Sequence, residues 1–186
     1  MSAVLITGIS GAGKSTLAAV FARRGLAVLD SDSDPSLARM VNRAGEVVES
    51  PEAPDLAWVE QHSWAWDPAR LDELIGAAGP GILYVCGGAA NEIELADRFT
   101  HLFVLEIDEA TMLTRLDAPS RDNEWGRTGD SREDLRRRRS GYQRGLRAAG
   151  AIPVDATKPL DQVADEIVTL TALPAAGARP RPRSAR

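Results

Sequence analysis

The sequence predicts an α/β protein, a parallel sheet with helices on both faces, and three observations carry that expectation. Strand-like and helix-like segments alternate along the chain. The strand-like runs are apolar almost throughout, as strands buried on both faces must be. Between the first such run, Ala3–Thr7, and the first helical pattern, Lys14–Arg24, lies a glycine-rich loop, Gly8-Ile9-Ser10-Gly11-Ala12-Gly13.

The elements follow in order. Gly25 closes the first helix, the residue type expected just past a helix C-terminus. Leu26–Asp30 reads as the second strand. Ser31–Pro68 then breaks the alternation, with prolines at 35, 51, 54 and 68 and with Trp58, Trp64 and Trp66. Beyond it the pattern resumes: helix Ala69–Ala78, strand Gly81–Cys86, helix Glu92–Arg98, strand His101–Ile107, helix Glu109–Leu116. Residues 117–131, with Pro119, Gly126, Gly129 and many charges, break it again. Helix Arg132–Ala149, strand Ala151–Val154 and helix Leu160–Leu173 complete the reading. In the last helix Leu160, Val163, Ala164, Ile167 and Leu170 fall on one face. In an open α/β sheet, ligands sit beyond the carboxyl ends of the strands. The two interruptions leave toward that edge, so 31–68 is expected to bind substrate and 117–131 to form a lid.

Composition bounds the rest. The 186 residues suit one domain, expected over 1–174. Residues 175–186, rich in Arg and Pro, read as a disordered tail or as a basic arm for an acidic surface. A net charge of −5 gives no reason to expect nucleic acid. The single Cys86 excludes a disulfide within the chain and reads as a small buried residue. No signal peptide and no long apolar run are evident, so a cytoplasmic protein without membrane contact is expected, a monomer or homodimer.

Gly8 to Ser15 fits G-x-x-x-x-G-K-[ST], with a strand before and a helix after, the context that pattern requires. Several negative charges crowd a triphosphate. Backbone N–H groups of Gly8, Gly11, Ala12 and Gly13 can converge on it because glycine removes the Cβ clashes. The helix starting at Lys14 adds the positive end of its dipole, with Ser15 and Thr16 in its first turn. Lys14 is expected to reach the β- and γ-phosphates, and Ser15 to ligate Mg²⁺. Only Lys14 and Lys158 are lysines, against plentiful arginine, which marks Lys14 as chosen for its compact ammonium.

Asp30 and Asp32, two apart at the end of the second strand, would project to one side of an extended segment. There they could hold Mg²⁺ through water and take the proton of an attacking hydroxyl; the alternative is an acidic loop in which Asp34 or Ser33 caps a helix. The strand ending at Cys86 carries no aspartate, which moves metal duty toward Ser15 and Asp30. Gly87-Gly88 either admits a ligand to the backbone or makes a tight turn. Arg115, Arg121 and Arg127 could close over a transferring phosphoryl group, or pair with Asp117, Asp122 and Glu124. Trp58 with His62, and Trp66 with Arg70, have i, i+4 spacing and could share helix faces, stacking on a ring and binding an anion. Alternatively the tryptophans anchor the core of a small lobe. Arg136–Arg139 reads mostly as a solvated face.

Together GISGAGKST, DSD after the second strand, the missing strand-end aspartate, CGGAAN and an arginine-bearing lid resemble the small P-loop kinases. That superfamily includes nucleoside and nucleoside-monophosphate kinases, shikimate kinase and gluconate kinase. The resemblance implies a three-layer fold with five parallel strands, ATP and Mg²⁺ as cofactors, and a small-molecule acceptor. It also implies that Val154–Pro159, including Thr157 and Pro159, lies against the adenine, near Arg115. Asp30-x-Asp32 resembles the D-x-D of shikimate kinase, whose first carboxylate serves Mg²⁺ and whose second serves substrate. The Phe-Arg element and the Arg-Pro lid pair of that enzyme are missing here. DPSLARMVN, HSWAWDPARL and RDNEWGR resemble a bacterial group of nucleoside-kinase-like ATPases. The expected function is therefore ATP-dependent phosphorylation of a nucleoside, nucleotide or hydroxylated metabolite. The acceptor would sit among Asp32, Arg39, His62, Arg70, Gly87 and Gly88, and Lys14, Asp32 and Arg121 would be catalytic. Alternatives are a shikimate kinase or a nucleotide-dependent switch that binds a protein partner.

Overall fold

In the computed structural model, which describes residues 2–51, 54–119 and 125–173, the chain begins with β1 (Ser2–Thr7), α1 (Lys14–Arg23) and β2 (Ala27–Asp30). It continues through β3 (Ala38–Asn42), α2 (Leu56–Gln61), β4 (His62–Trp66), α3 (Pro68–Ala77) and β5 (Ile82–Cys86). Then come β6 (His101–Glu106), α4 (Glu109–Leu116), α5 (Gly129–Ala148), β7 (Ile152–Asp155) and α6 (Leu160–Thr171). Five strands form one parallel sheet in the order β2-β5-β1-β6-β7. The predicted α/β class and all five predicted strands are present, with ends shifted by a residue or so.

Alternation along the central strands sorts the core into two layers. Val4 and Ile6 of β1, Tyr84 and Cys86 of β5, and Phe103 and Leu105 of β6 pack with Leu17, Phe21 and Ile167. Leu5, Val85 and Val104 point the other way, to Leu71, Trp66 and Leu146. Leu5 and Ile6 are completely buried, each worth about 1.5–3 kcal/mol of transfer free energy. The strands are apolar on both sides because helices cover both.

Three expectations need correction. Ser31–Pro68 is not irregular throughout: β3 and β4 pair antiparallel, Ala38 opposite Trp66 and Asn42 opposite His62, with α2 in their connection. Buried Trp66 carries this ribbon into the core, as the anchor reading expects. Asn91 locks it there, accepting from Trp66 N at 3.1 Å and donating to Trp66 O at 2.9 Å. The helix expected over Glu92–Arg98 is a succession of tight turns, with only a 3₁₀ turn at Ala96–Arg98. Most of its bonds span three residues, Glu92 N to Ala89 O and Ala96 N to Ile93 O among them, because the Glu92 side chain is drawn into the core. Finally, α5 starts at Gly129, so the C-terminal end of the expected lid is helical. Residues 120–124 of that lid and the tail expected over 175–186 lie outside the described residues.

Candidate active site

Because all five strands run parallel, the segments after β1, β2, β5, β6 and β7 meet at one edge. The glycine-rich loop leaves β1 there. Gly11 and Gly13 have φ of 85° and 97°, a left-handed backbone that glycine adopts without strain. Gly8 is required for space: a Cβ there would lie 2.9 Å from Ala12 Cβ and 3.0 Å from Leu105 O. Helix α1 starts at Lys14 with no side chain capping its first N–H groups, so these donors point into the loop. Ser15 and Thr16 are exposed at the same end.

Lys14 curls over the loop, its Nζ donating to Gly8 O at 2.7 Å. Burial lowers its pKa below the ordinary lysine range, opposed by the charges of Asp32, Glu92 and Asp30, in that order. Arg115 bridges the loop to the segment after β7. Its guanidinium donates to Ala12 O at 3.2 Å and to Ala156 O at 2.7 Å. Beyond Ala156, Asp155 accepts from Thr157 N at 3.0 Å and from Thr157 Oγ1 at 2.6 Å, which shapes the turn toward Pro159. Arg115, the glycine loop and the 155–159 turn, singled out separately in the sequence, therefore form one continuous wall.

The opposite wall follows β2. The chain beyond Asp30 is a 3₁₀ turn, Ser31–Ser33, and not extended. Asp30 Oδ1 accepts from Asp32 N at 3.2 Å, so the turn and not strand alternation sets where the Asp32 side chain lies. Trp64 Nε1 donates to Asp32 Oδ1 at 3.3 Å, and the Trp64 ring is 39% exposed beside it. Asp34 caps a turn, not the helix end expected for it, accepting from Ser36 N at 2.9 Å. Those Ser36 hydrogen bonds, with help from Arg70, hold its pKa at about 2.

The cations expected on the acceptor side are paired. Arg39 donates to Asp67 Oδ2 at 2.6 Å, and Arg70 to Asp34 Oδ2 at 3.1 Å and Glu73 Oε2 at 3.2 Å. Trp58 and His62 do stack, ring centroids 4.0 Å apart, and His62 Nδ1 lies 2.7 Å from Trp58 O. Trp66 and Arg70 share no helix face, since Trp66 belongs to β4 and is buried. Gly87 is filled by the protein itself: a Cβ there would overlap Ser31 Oγ and sit 2.7 Å from Ser31 Cβ. Burial raises the Cys86 thiol pKa well above its usual range, consistent with a structural role. Arg121 lies outside the described residues. Arg127 donates to Ala118 O at 2.8 Å, and Arg132 clamps Asp117 at 2.6 and 2.9 Å, tying the start of α5 to the end of α4. Arg136, Arg137 and Arg138 pair with Glu109, Glu133 and Asp134 on the surface, whereas Arg139 donates to Ile107 O.

One acidic residue escaped the sequence reading. Glu92 is 2% exposed, beside the end of β1. Its Oε2 lies 2.6 Å from Thr7 Oγ1, its Oε1 2.7 Å from the Tyr142 hydroxyl, and Ala89 N donates to Oε2 at 3.3 Å. Burial lifts its carboxyl above the usual glutamate range, against these hydrogen bonds and the Lys14 charge. In the sequence it reads as the first residue of an exposed helix, and no motif marks it. Among the described residues no three His, Cys, Asp or Glu side chains cluster as a metal site, and no helix is long and apolar enough to cross a membrane.

No protein-family model and no curated protein sequence matches the chain. Solved structures do. Deoxyadenosine kinase from M. mycoides with bound dATP aligns at 16% identity and TM-score 0.54, covering 93% of this chain and 100% of that one. Shikimate kinase from Bacteroides thetaiotaomicron aligns at 14% identity and TM-score 0.54 over 92% of this chain and 99% of that one. Shikimate kinase from Acinetobacter baumannii, in complex with shikimate, aligns at 14% identity and TM-score 0.56, over 92% and 93%. From its phosphate loop to its last helix, this chain has the fold of the small P-loop kinases.

Proposed function

We propose that this protein is an ATP-dependent kinase that phosphorylates a hydroxyl of a small molecule. The observation that carries the reading is the cleft at the strand ends. Lys14 and the uncapped N–H groups of α1 follow β1 at the same strand edge where the turn carrying Asp30 and Asp32 follows β2. ATP would place its phosphates on the backbone N–H groups of Gly8–Ser15 and its base against the wall made by Arg115 and the 155–159 turn. Mg²⁺ would enter with the triphosphate. Ser15 and Asp30 supply the hard oxygens it requires, and the absence of a three-acid cluster among the described residues fits an ion held largely by phosphate and water. When bound, the ion neutralises charge on the β- and γ-oxygens. Asp32 would accept the proton of the attacking hydroxyl, oriented by Trp64. Lys14 and Arg121 would stabilise charge on the transferring group; the rest is positioning.

The pairing of Arg39 and Arg70 gives a slight preference for an acceptor without a carboxylate or phosphate, since partly exposed pairs of this kind are worth about 0–1 kcal/mol. A nucleoside or another neutral alcohol meets this, with the Trp64 ring as a stacking face; shikimate does not. The test is an ADP-release screen with Mg·ATP against nucleosides, nucleotides, shikimate, sugar acids and aminoglycosides. A neutral or cationic alcohol should give turnover that Lys14→Ala abolishes in a folded protein. Normal activity of Lys14→Ala, or turnover stimulated by a protein and by no small molecule, would overturn the reading.

A further inference from the structure

Thr7 is the last residue of β1 and the root of the phosphate loop. Tyr142 lies on α5, the helix that follows the lid segment. Glu92 sits between them, and all three oxygen pairs are in contact: Thr7 to Glu92 at 2.6 Å, Tyr142 to Glu92 at 2.7 Å, and Thr7 to Tyr142 at 2.9 Å. Three contacts need three protons. Two hydroxyls bring one each, and Ala89 N–H spends its proton on its own bond to Oε2. A carboxylate contributes none, and would leave one pair of oxygens lone pair against lone pair. A protonated carboxyl contributes the third. The protons can then run in one direction, Glu92 to Tyr142, Tyr142 to Thr7 and Thr7 to Glu92, with every donor and acceptor used.

We propose that Glu92 is a neutral carboxyl closing a hydrogen-bond ring with Thr7 and Tyr142, and that this ring is the joint through which the lid helix α5 is seated on the root of the phosphate loop. Burial agrees. Glu92 is almost wholly buried, where the neutral form is favoured. Lys14 is the cation whose charge works against the neutral form; on Lys14 itself Asp32 acts more strongly than Glu92, and Asp30 less. Cys86, from β5, is held as a neutral thiol, and Arg138 reaches the ring only through its influence on Tyr142. Gly88 covers the ring closely: a Cβ there would lie 3.3 Å from Thr7 Oγ1 and 3.6 Å from the Tyr142 hydroxyl. At its other end α5 carries Arg132, which clamps Asp117 and donates to Arg127 O at 2.8 Å. Glu92 is a positioning residue, touching neither nucleotide nor acceptor, and its service to catalysis rests on the kinase reading above.

The test has two independent arms. Infrared spectroscopy at neutral pH should show the C=O stretch of one protonated carboxyl in the full chain, lost in Glu92→Gln. Hydrogen exchange with Mg·AMP-PNP as probe should show slowed exchange both in residues 8–15 and in α5. Glu92→Gln, a neutral side chain that still donates and accepts, should keep that coupling. Glu92→Ala and Tyr142→Phe should lower the protection of α5 about tenfold, the equilibrium effect of losing one net hydrogen bond, while 8–15 respond as before. Tyr142→Phe serves where Glu92→Ala does not fold. Absence of the infrared band, or Glu92→Gln behaving like Glu92→Ala, would overturn the proposal. Failure of AMP-PNP to bind the unmodified protein would instead sink the nucleotide reading, with the infrared arm still deciding the ring.

Discussion

Gly87 offers a sharp test of how the acceptor wall is held. It follows β5 directly, beside the 3₁₀ turn after β2, and the space of its missing side chain holds Ser31, which is fully buried. In Gly87→Ala the new Cβ would overlap Ser31 Oγ, lie 2.7 Å from Ser31 Cβ and 3.2 Å from Trp66 Cζ2. The hydroxyl could rotate away, but Ser31 Cβ moves only with its backbone, and Trp66 closes the other side. Overpacking of this kind costs about 1–3 kcal/mol, and a clash with a backbone-fixed atom belongs at the upper end. For 186 residues, about 3 kcal/mol lowers Tm by about 6–12 °C. Differential scanning calorimetry measures it. Because Ser31 carries Asp30 and Asp32 on either side, turnover should fall while nucleotide affinity, held by residues 8–15, is kept. Adding Ser31→Gly removes both clashing atoms and leaves the 3.2 Å ring contact. The double variant should regain most of the lost Tm, less about 1 kcal/mol for the new glycine. A Gly87→Ala protein that melts with the parent, or a double variant no better than the single, refutes the reasoning.

The tryptophans of the β3–β4 ribbon should separate cleanly. Trp66→Ala opens a cavity in the core and should cost about 3–5 kcal/mol in chemical denaturation. Trp64→Ala, at an exposed site, should cost less than about 1 kcal/mol and act on the acceptor KM instead; equal destabilisation by both would contradict the assignment of faces. Asp34 is held at about pKa 2 by Ser36 and Arg70, below its unfolded value. Its contribution is therefore complete above about pH 4 and is lost as pH falls through about 2. Asp34→Asn should lower stability at neutral pH and flatten the acid limb of a stability profile, and an unchanged acid limb would count against it.

The phosphate loop was legible because its chemistry demands neighbours in sequence: consecutive N–H groups, glycines between them, and a helix immediately after. The strands were legible for a similar reason, since burial on both faces leaves an apolar run whichever partners a strand takes. The β3–β4 pairing was not, because its partners lie on either side of residues 43–61 and prolines in that stretch argue against strand. Asp30 and Asp32 were expected to share one side of an extended segment, and a 3₁₀ turn replaces that segment. Arg39 and Arg70 looked free because Asp67 and Asp34 stand next to other plausible duties as caps. Glu92 was hidden most deeply, with partners 85 and 50 residues away.

The amino-acid sequence alone determined the parallel α/β architecture and the glycine-rich turn between the first strand and the first helix. Those follow from periodicity and local backbone geometry, which act over a few residues. Tertiary structure alone decided which cations are already paired, which tryptophan is core and which is exposed, and that the buried Glu92 side chain meets Thr7 and Tyr142. Each of these depends on a charge or a hydrogen bond meeting its partner through space, and strand order, not sequence distance, sets who that partner is.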